Sequence, residues 1–151
     1  MTVRAAAVLS WLLALGFGVP GAIGAWYFAD RGVVWNFLGF PTYGDGPLHR
    51  AGIETTTPLL IAFVLVCLLE AVLGWLLWRR RRSGGILALA LLPAEVMFWI
   101  GFALPLGPVL GVARTALVVA GWSSLVQPRA SPSRPHTAEP IAADRRDLRT
   151  S

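Results

Sequence analysis

The stretch TPLLIAFVLVCLLEAVLGWLLWRRRR, residues 57–82, decides the fold. From Pro58 to Trp78 it carries one charged side chain, Glu70, in a run of the length a helix needs to cross a hydrocarbon core of about 30 Å. Arg79, Arg80, Arg81 and Arg82 follow without interruption, and a second apolar run begins at Gly85. Four guanidinium groups between two apolar spans read as a short cytoplasmic turn, because such charge is held on the inner side during insertion.

Working outward, the same template fits four spans: Val3 to Phe28, Pro58 to Trp78, Gly85 to Leu104 and Pro108 to Leu125. The expected fold class is an all-α integral membrane protein, a four-transmembrane-helix bundle over residues 1–126. A 56% hydrophobic composition and a mean hydropathy of +0.64 leave too little polar surface to cover a soluble domain of 151 residues. In the first span Arg4, an apolar core and then small residues also fit a signal peptide, but the run continues through Trp26, Tyr27 and Phe28 and fills the bilayer, so a retained helix is expected. Arg4, the Arg79 to Arg82 run and five Arg of the tail fall on one side, against Arg31 and Arg50 on the other, which predicts both termini inside. Aromatic residues at the span ends agree with that direction.

Thr57 before Pro58 reads as a cap for the second helix. Leu104 to Pro108 is short enough to force the last two helices together. The outer loop, Ala29 to Thr57, is rich in turn residues, and Val33 to Phe40 reads as a short interfacial helix or strand. Residues 127–151, with four Pro and scattered charge, are expected to be a disordered cytoplasmic tail.

The charge of +5 and pI near 11 do not signal nucleic-acid binding, since the basic residues flank apolar spans. All 13 are Arg, which with the abundant Ala and Gly suits a GC-rich bacterial genome, and the expected location is a bacterial plasma membrane. Cys67 is the only cysteine, so dithiol exchange is excluded, and His49 and His136 are too far apart to suggest a metal pair. No cofactor is expected, and no nucleophile arrangement or phosphate loop is present.

Ionisable groups deep in a bilayer are costly, and three are present: Glu70, Glu95 and Arg114. At about 1.5 Å per residue, Glu70 lies about 18 Å below Pro58, Glu95 about 15 Å below Pro105 and Arg114 about 9 Å below Pro108. The carboxyls thus share a depth, and an ion pair between Glu95 and Arg114 is the first contact expected, with Glu70 keeping a proton beside it. Small residues surround each charge: Cys67, Ala71 and Gly74 share the Glu70 face, and Gly107, Gly111 and Gly121 the Arg114 face. Pro93 frees the Leu89 carbonyl near Glu95. Asp45, His49, Arg50 and Glu54 form a second, outer-loop candidate, and Arg79 to Arg82 could also attract anionic lipid headgroups.

Four helices with membrane acids resemble the small multidrug carriers in architecture, which implies a dimeric proton-linked carrier. The first helix here, however, lacks the acid that such carriers place there. The expected role is a non-enzymatic accessory or scaffolding component whose partners are membrane lipids and a homodimer or larger membrane complex. The alternatives are a small proton-coupled carrier using Glu70 and Glu95, and a lipid-acting membrane enzyme.

Overall fold

Helix formation follows the apolar runs closely. The computed structural model describes residues 1–37, 40–41, 43–44 and 46–126; the expected tail and Asp45 lie outside the described residues. Helix α1 spans Thr2–Arg31, a two-residue antiparallel pair joins β1 (Asn36–Phe37) to β2 (Phe40–Pro41), and α2 is one turn, Pro47–Arg50. Helices α3 (Thr57–Trp78), α4 (Arg82–Gly101) and α5 (Gly107–Ala120) follow, with a 3-10 turn at Trp122–Ser124. Helix α1 packs on α3 and α5, α3 on α4, and α4 on α5, which closes the four long helices into a ring.

Three of these helices, α1, α3 and α4, are long and apolar enough to cross a membrane, whereas α5 has 14 residues. The surface is built accordingly. Leu12, Leu15, Val19, Ile61, Leu65, Leu68, Ile86, Ile100, Val109 and Val112 are all exposed, while Ser10, Glu70, Glu95 and Arg114 are buried. Helices this apolar all round suit a lipid environment.

The element ends differ from the sequence expectation for local reasons. The cap of α3 is Thr56, whose hydroxyl accepts from the Leu59 amide, one residue earlier than expected because Pro58 occupies the second helical position. Helix α4 starts at Arg82 and stops at Gly101, not at Gly85 and Leu104. Its end is set by Ala103, whose amide bonds the Ile100 carbonyl while the Leu104 amide bonds Trp99, a Schellman closure. Helix α5 ends at Ala120, five residues before the expected boundary, and the Ser124 hydroxyl closes the following turn on the Gly121 carbonyl. The extended segment in the outer loop is the β1–β2 pair, which overlaps the Val33 to Phe40 range expected to be a helix or strand and ends one residue beyond it, at Pro41.

Two apolar clusters divide the interior. One holds Val3, Ala6, Ala7, Leu73, Leu77, Ala88, Val118 and Leu125 at the end bearing the arginine run; the other holds Tyr43, Leu60, Phe63, Cys67, Phe98 and Phe102. In chain order Glu70, Glu95 and Arg114 fall between these clusters on α3, α4 and α5, and Ser10 falls between Ala7 and Leu13 on α1.

Ala103 holds a left-handed backbone, φ 53°, where glycine is the usual residue. Ala103→Gly is therefore expected to stabilise the protein by about 1 kcal/mol, read as a higher unfolding midpoint in detergent; an unchanged or lower midpoint would contradict the strain.

Candidate functional site

A carboxylate in an apolar helix requires a counter-charge, and here one guanidinium serves two. Arg114 Nη1 lies 2.5 and 2.6 Å from the Glu70 oxygens and 2.8 Å from Glu95 Oε1, while Nη2 lies 2.7 Å from Glu95 Oε2. Glu95 therefore takes the two-point geometry that matches a guanidinium edge, and Glu70 takes the other side of Nη1. Three oxygens around one nitrogen exceed its two hydrogens, so one N–H is shared. Arg114 is 0% exposed, and its partners are sealed almost as completely.

Local sequence explains the approach. Gly107 and Gly111 on α5 accept the Trp99 indole where any Cβ would collide with it, which draws α5 against α4 and presents Arg114 one turn further on. Gly74 on α3 sits against Trp11 and the Ala7 carbonyl, which draws α1 against α3. The expected contact between Glu95 and Arg114 is present, and Glu70, expected to stand beside that pair, also engages the same guanidinium.

The surroundings are tight. A slot of about 10 Å³ lined by Leu13, Phe17, Phe63, Val66, Cys67, Glu70, Glu95 and Trp99 is the space beside the carboxyls, room for about one water. Arg114 Nε and the Ser10 hydroxyl are buried without a hydrogen-bond partner. Ser10 is a residue that sequence reasoning passed over, although it is a polar residue inside the first apolar run.

Above the slot, Tyr43 closes the bundle. It is 3% exposed, its ring packs on Phe63 and Phe102 with centroids 5.3 Å away, and its hydroxyl donates to the Phe17 carbonyl at 3.4 Å. Gly24 leaves room for the ring, and Thr55 donates to the Tyr43 carbonyl at 2.6 Å. Burial holds the Tyr43 phenol above its ordinary range. Of the outer-loop candidates, His49 and Arg50 on α2 and Glu54 beyond it are exposed, and among the described residues no ion pair joins these three. Arg79 to Arg82 form the α3–α4 turn and the first residue of α4. Among the described residues, no group of three or more His, Cys, Asp or Glu is placed to hold a metal.

Arg114→Gln leaves two buried carboxyls without their cation and is expected to cost on the order of 3–5 kcal/mol, whereas Glu70→Gln, which keeps the Glu95 pair, costs under about 1.5 kcal/mol. Unfolding by denaturing detergent reads both; equal losses would show that the guanidinium is not the shared partner. For Tyr43, a phenol raised by burial contributes stability that is full below its unfolded value near pH 10 and is lost as pH rises toward the folded value. Alkaline titration should thus release the outer loop, and Tyr43→Phe should remove that alkaline step; a step that persists in Tyr43→Phe belongs to another group. No protein-family model, curated protein or solved structure matches the chain.

Proposed function

We propose that this chain is a multi-pass membrane protein in which all four long helices cross the bilayer, with both termini and the Arg79–Arg82 turn on the cytoplasmic side of a bacterial plasma membrane. Its role in this reading is that of a non-enzymatic accessory or scaffolding component, as a homodimer or within a larger membrane complex. Helix α5 alone measures about 21 Å; the flanking Leu104 to Leu106 segment and the Trp122–Ser124 turn supply the remaining depth. The direction rests on Arg4 and Arg79 to Arg82 at one end against Arg31 and Arg50 at the other.

The observation that carries the scaffold reading is the single guanidinium that joins α3, α4 and α5 in an interior with about 10 Å³ of free space beside it. A pair of this kind fixes helix register, and a solute larger than water has no room there. The proton-coupled carrier reading keeps one observation in its favour: two carboxyls share one cation, so three ionised groups would carry an uncompensated negative charge that a single proton removes. A lipid-acting enzyme would need the outer-loop residues to converge, and His49, Arg50 and Glu54 are separately exposed.

Reconstituted into liposomes containing a pH dye, the protein is expected to leave proton leak at the level of empty liposomes, with Glu70→Gln indistinguishable from the native chain. A gradient-driven flux that Glu70→Gln abolishes would overturn the scaffold in favour of the carrier. For the topology, in a Cys67→Ala background, a membrane-impermeant maleimide should label Glu54→Cys but not Ser83→Cys in intact cells; the reverse pattern would invert the orientation.

A further inference from the structure

The seam between α1 and α3 joins two features that the ion triad does not use. Its middle is an open apolar groove of about 340 Å³, formed by Ala14, Gly18 and Ala22 on α1 and Val64, Leu68 and Ala71 on α3. The α1 residues recur every fourth position, so small side chains leave a continuous channel along one helix face. The α3 lining residues continue along the same face into Trp75 and Trp78.

The seam's arginine-bearing end is aromatic and charged. Trp11 donates its indole N–H to the Ala71 carbonyl at 3.2 Å and packs at a tilt against Trp78, ring centroids 5.5 Å apart, which bounds the groove. Beyond it, Arg4 lies over Trp78 at 5.2 Å and Arg79 over Trp75 at 4.3 Å. Both indoles are nearly half exposed, and both arginines are exposed. A guanidinium lying on an indole keeps its N–H edge available for an anion, and that edge matches phosphate oxygens. The described acids are Asp30, Glu54, Glu70 and Glu95; the first two belong to the opposite end and the last two are spent on Arg114. Among the described residues no carboxylate therefore competes for these arginines.

The geometry points to a binding site for one anionic phospholipid, with its phosphate on Arg4 and Arg79 and an acyl chain laid into the α1–α3 groove. This site rests on the membrane reading above. At about 1.5 Å per residue, the near part of the α3 lining, Ala71 to Leu68, lies about 12 to 16 Å from Arg79. That is the depth range of an acyl tail from the same leaflet, which ends near the middle of a core about 30 Å thick. Charge complementarity selects a lipid over a second copy of the chain, because a second copy would bring the same arginines to the same end of the seam.

The full chain, purified in mild detergent, is tested by native mass spectrometry with added phosphatidylglycerol or phosphatidylcholine. The native chain should retain one phosphatidylglycerol in preference to phosphatidylcholine, and millimolar inorganic phosphate should not displace it. Arg4→Gln with Arg79→Gln should weaken phosphatidylglycerol about 30-fold, from about 1 kcal/mol per arginine, and leave phosphatidylcholine unchanged. Leu68→Trp, which fills the near part of the groove from an exposed position, should weaken both lipids at least tenfold without lowering the unfolding midpoint. Equal retention of the two lipids by the native chain, or variants that bind as the native chain does, would overturn the site. A lipid-free native dimer that Leu68→Trp splits would instead assign the groove to a second copy. Failure of the membrane reading is separate: the chain would then leave the membrane fraction on alkaline carbonate extraction, whatever lipid it binds in detergent.

Discussion

The guanidinium of Arg114 is the constraint on which the bundle depends. An ionised side chain at the centre of a membrane helix costs about 2.5–3.5 kcal/mol on insertion scales, and three such groups on three separate helices would be unfavourable each on its own. Brought together, they satisfy one another: Glu95 holds both Nη atoms, Glu70 holds Nη1, and none reaches the surface. The favourable contact exists only when α3, α4 and α5 are in register. A slide of one turn, about 5.4 Å, would leave at least one carboxyl facing apolar neighbours. Apolar surfaces are poor at specifying register in lipid, where the solvent is as apolar as the helices.

The rest of the interior arranges itself around that layer. The two apolar clusters lie on either side of it, and the residues that let helices approach are glycines whose missing side chains are replaced by indoles, Trp99 at Gly107 and Gly111, Trp11 at Gly74. Helix α1 supplies no charge to the triad. It is held instead by packing on α3 and α5 and by the Trp11 hydrogen bond, which makes it the helix least constrained by electrostatics and the one whose outer face borders the open groove. The polar layer thus fixes three helices, and shape fixes the fourth.

Much of this was legible in the chain. The apolar runs located every long helix, because in such a composition hydropathy dominates propensity, and depth arithmetic brought Glu70 and Glu95 to one level, with Arg114 offset from it by a distance its side chain can span. Pairing at that level was legible because the short Leu104 to Pro108 connection leaves α5 no choice of neighbour. Other features were not legible. The end of α5 at Ala120 and of α4 at Gly101 depend on turn geometry, with Ala103 in a conformation that its side chain does not advertise. Tyr43 gave no signal in a loop of similar residues; its burial depends on Gly24, nineteen positions earlier, and on Phe63 and Phe102 from two other elements. The sharing of Nη1 by Glu70 is a tertiary fact that periodicity does not encode.

The arginine turn shows the same principle at the surface. Arg80 closes α3 in a left-handed conformation, φ 53°, with its amide on the Leu77 carbonyl and the Arg81 amide on Leu76. Glycine would fill that position without the roughly 1 kcal/mol of strain, so the turn carries its fourth guanidinium at a structural cost. What holds it in place is not local: the Val126 amide donates to the Arg80 carbonyl at 2.8 Å, the Arg82 amide donates back to Val126 at 3.2 Å, and Trp122 lies under Arg82. The segment after α5 is thereby fastened to the α3–α4 turn. The turn's positive charge and the backbone that ties the last segment to the bundle are built from the same four residues. A substitution that lowers the charge while keeping the backbone bridge, and one that breaks the bridge while keeping the charge, therefore act on different properties of the same turn.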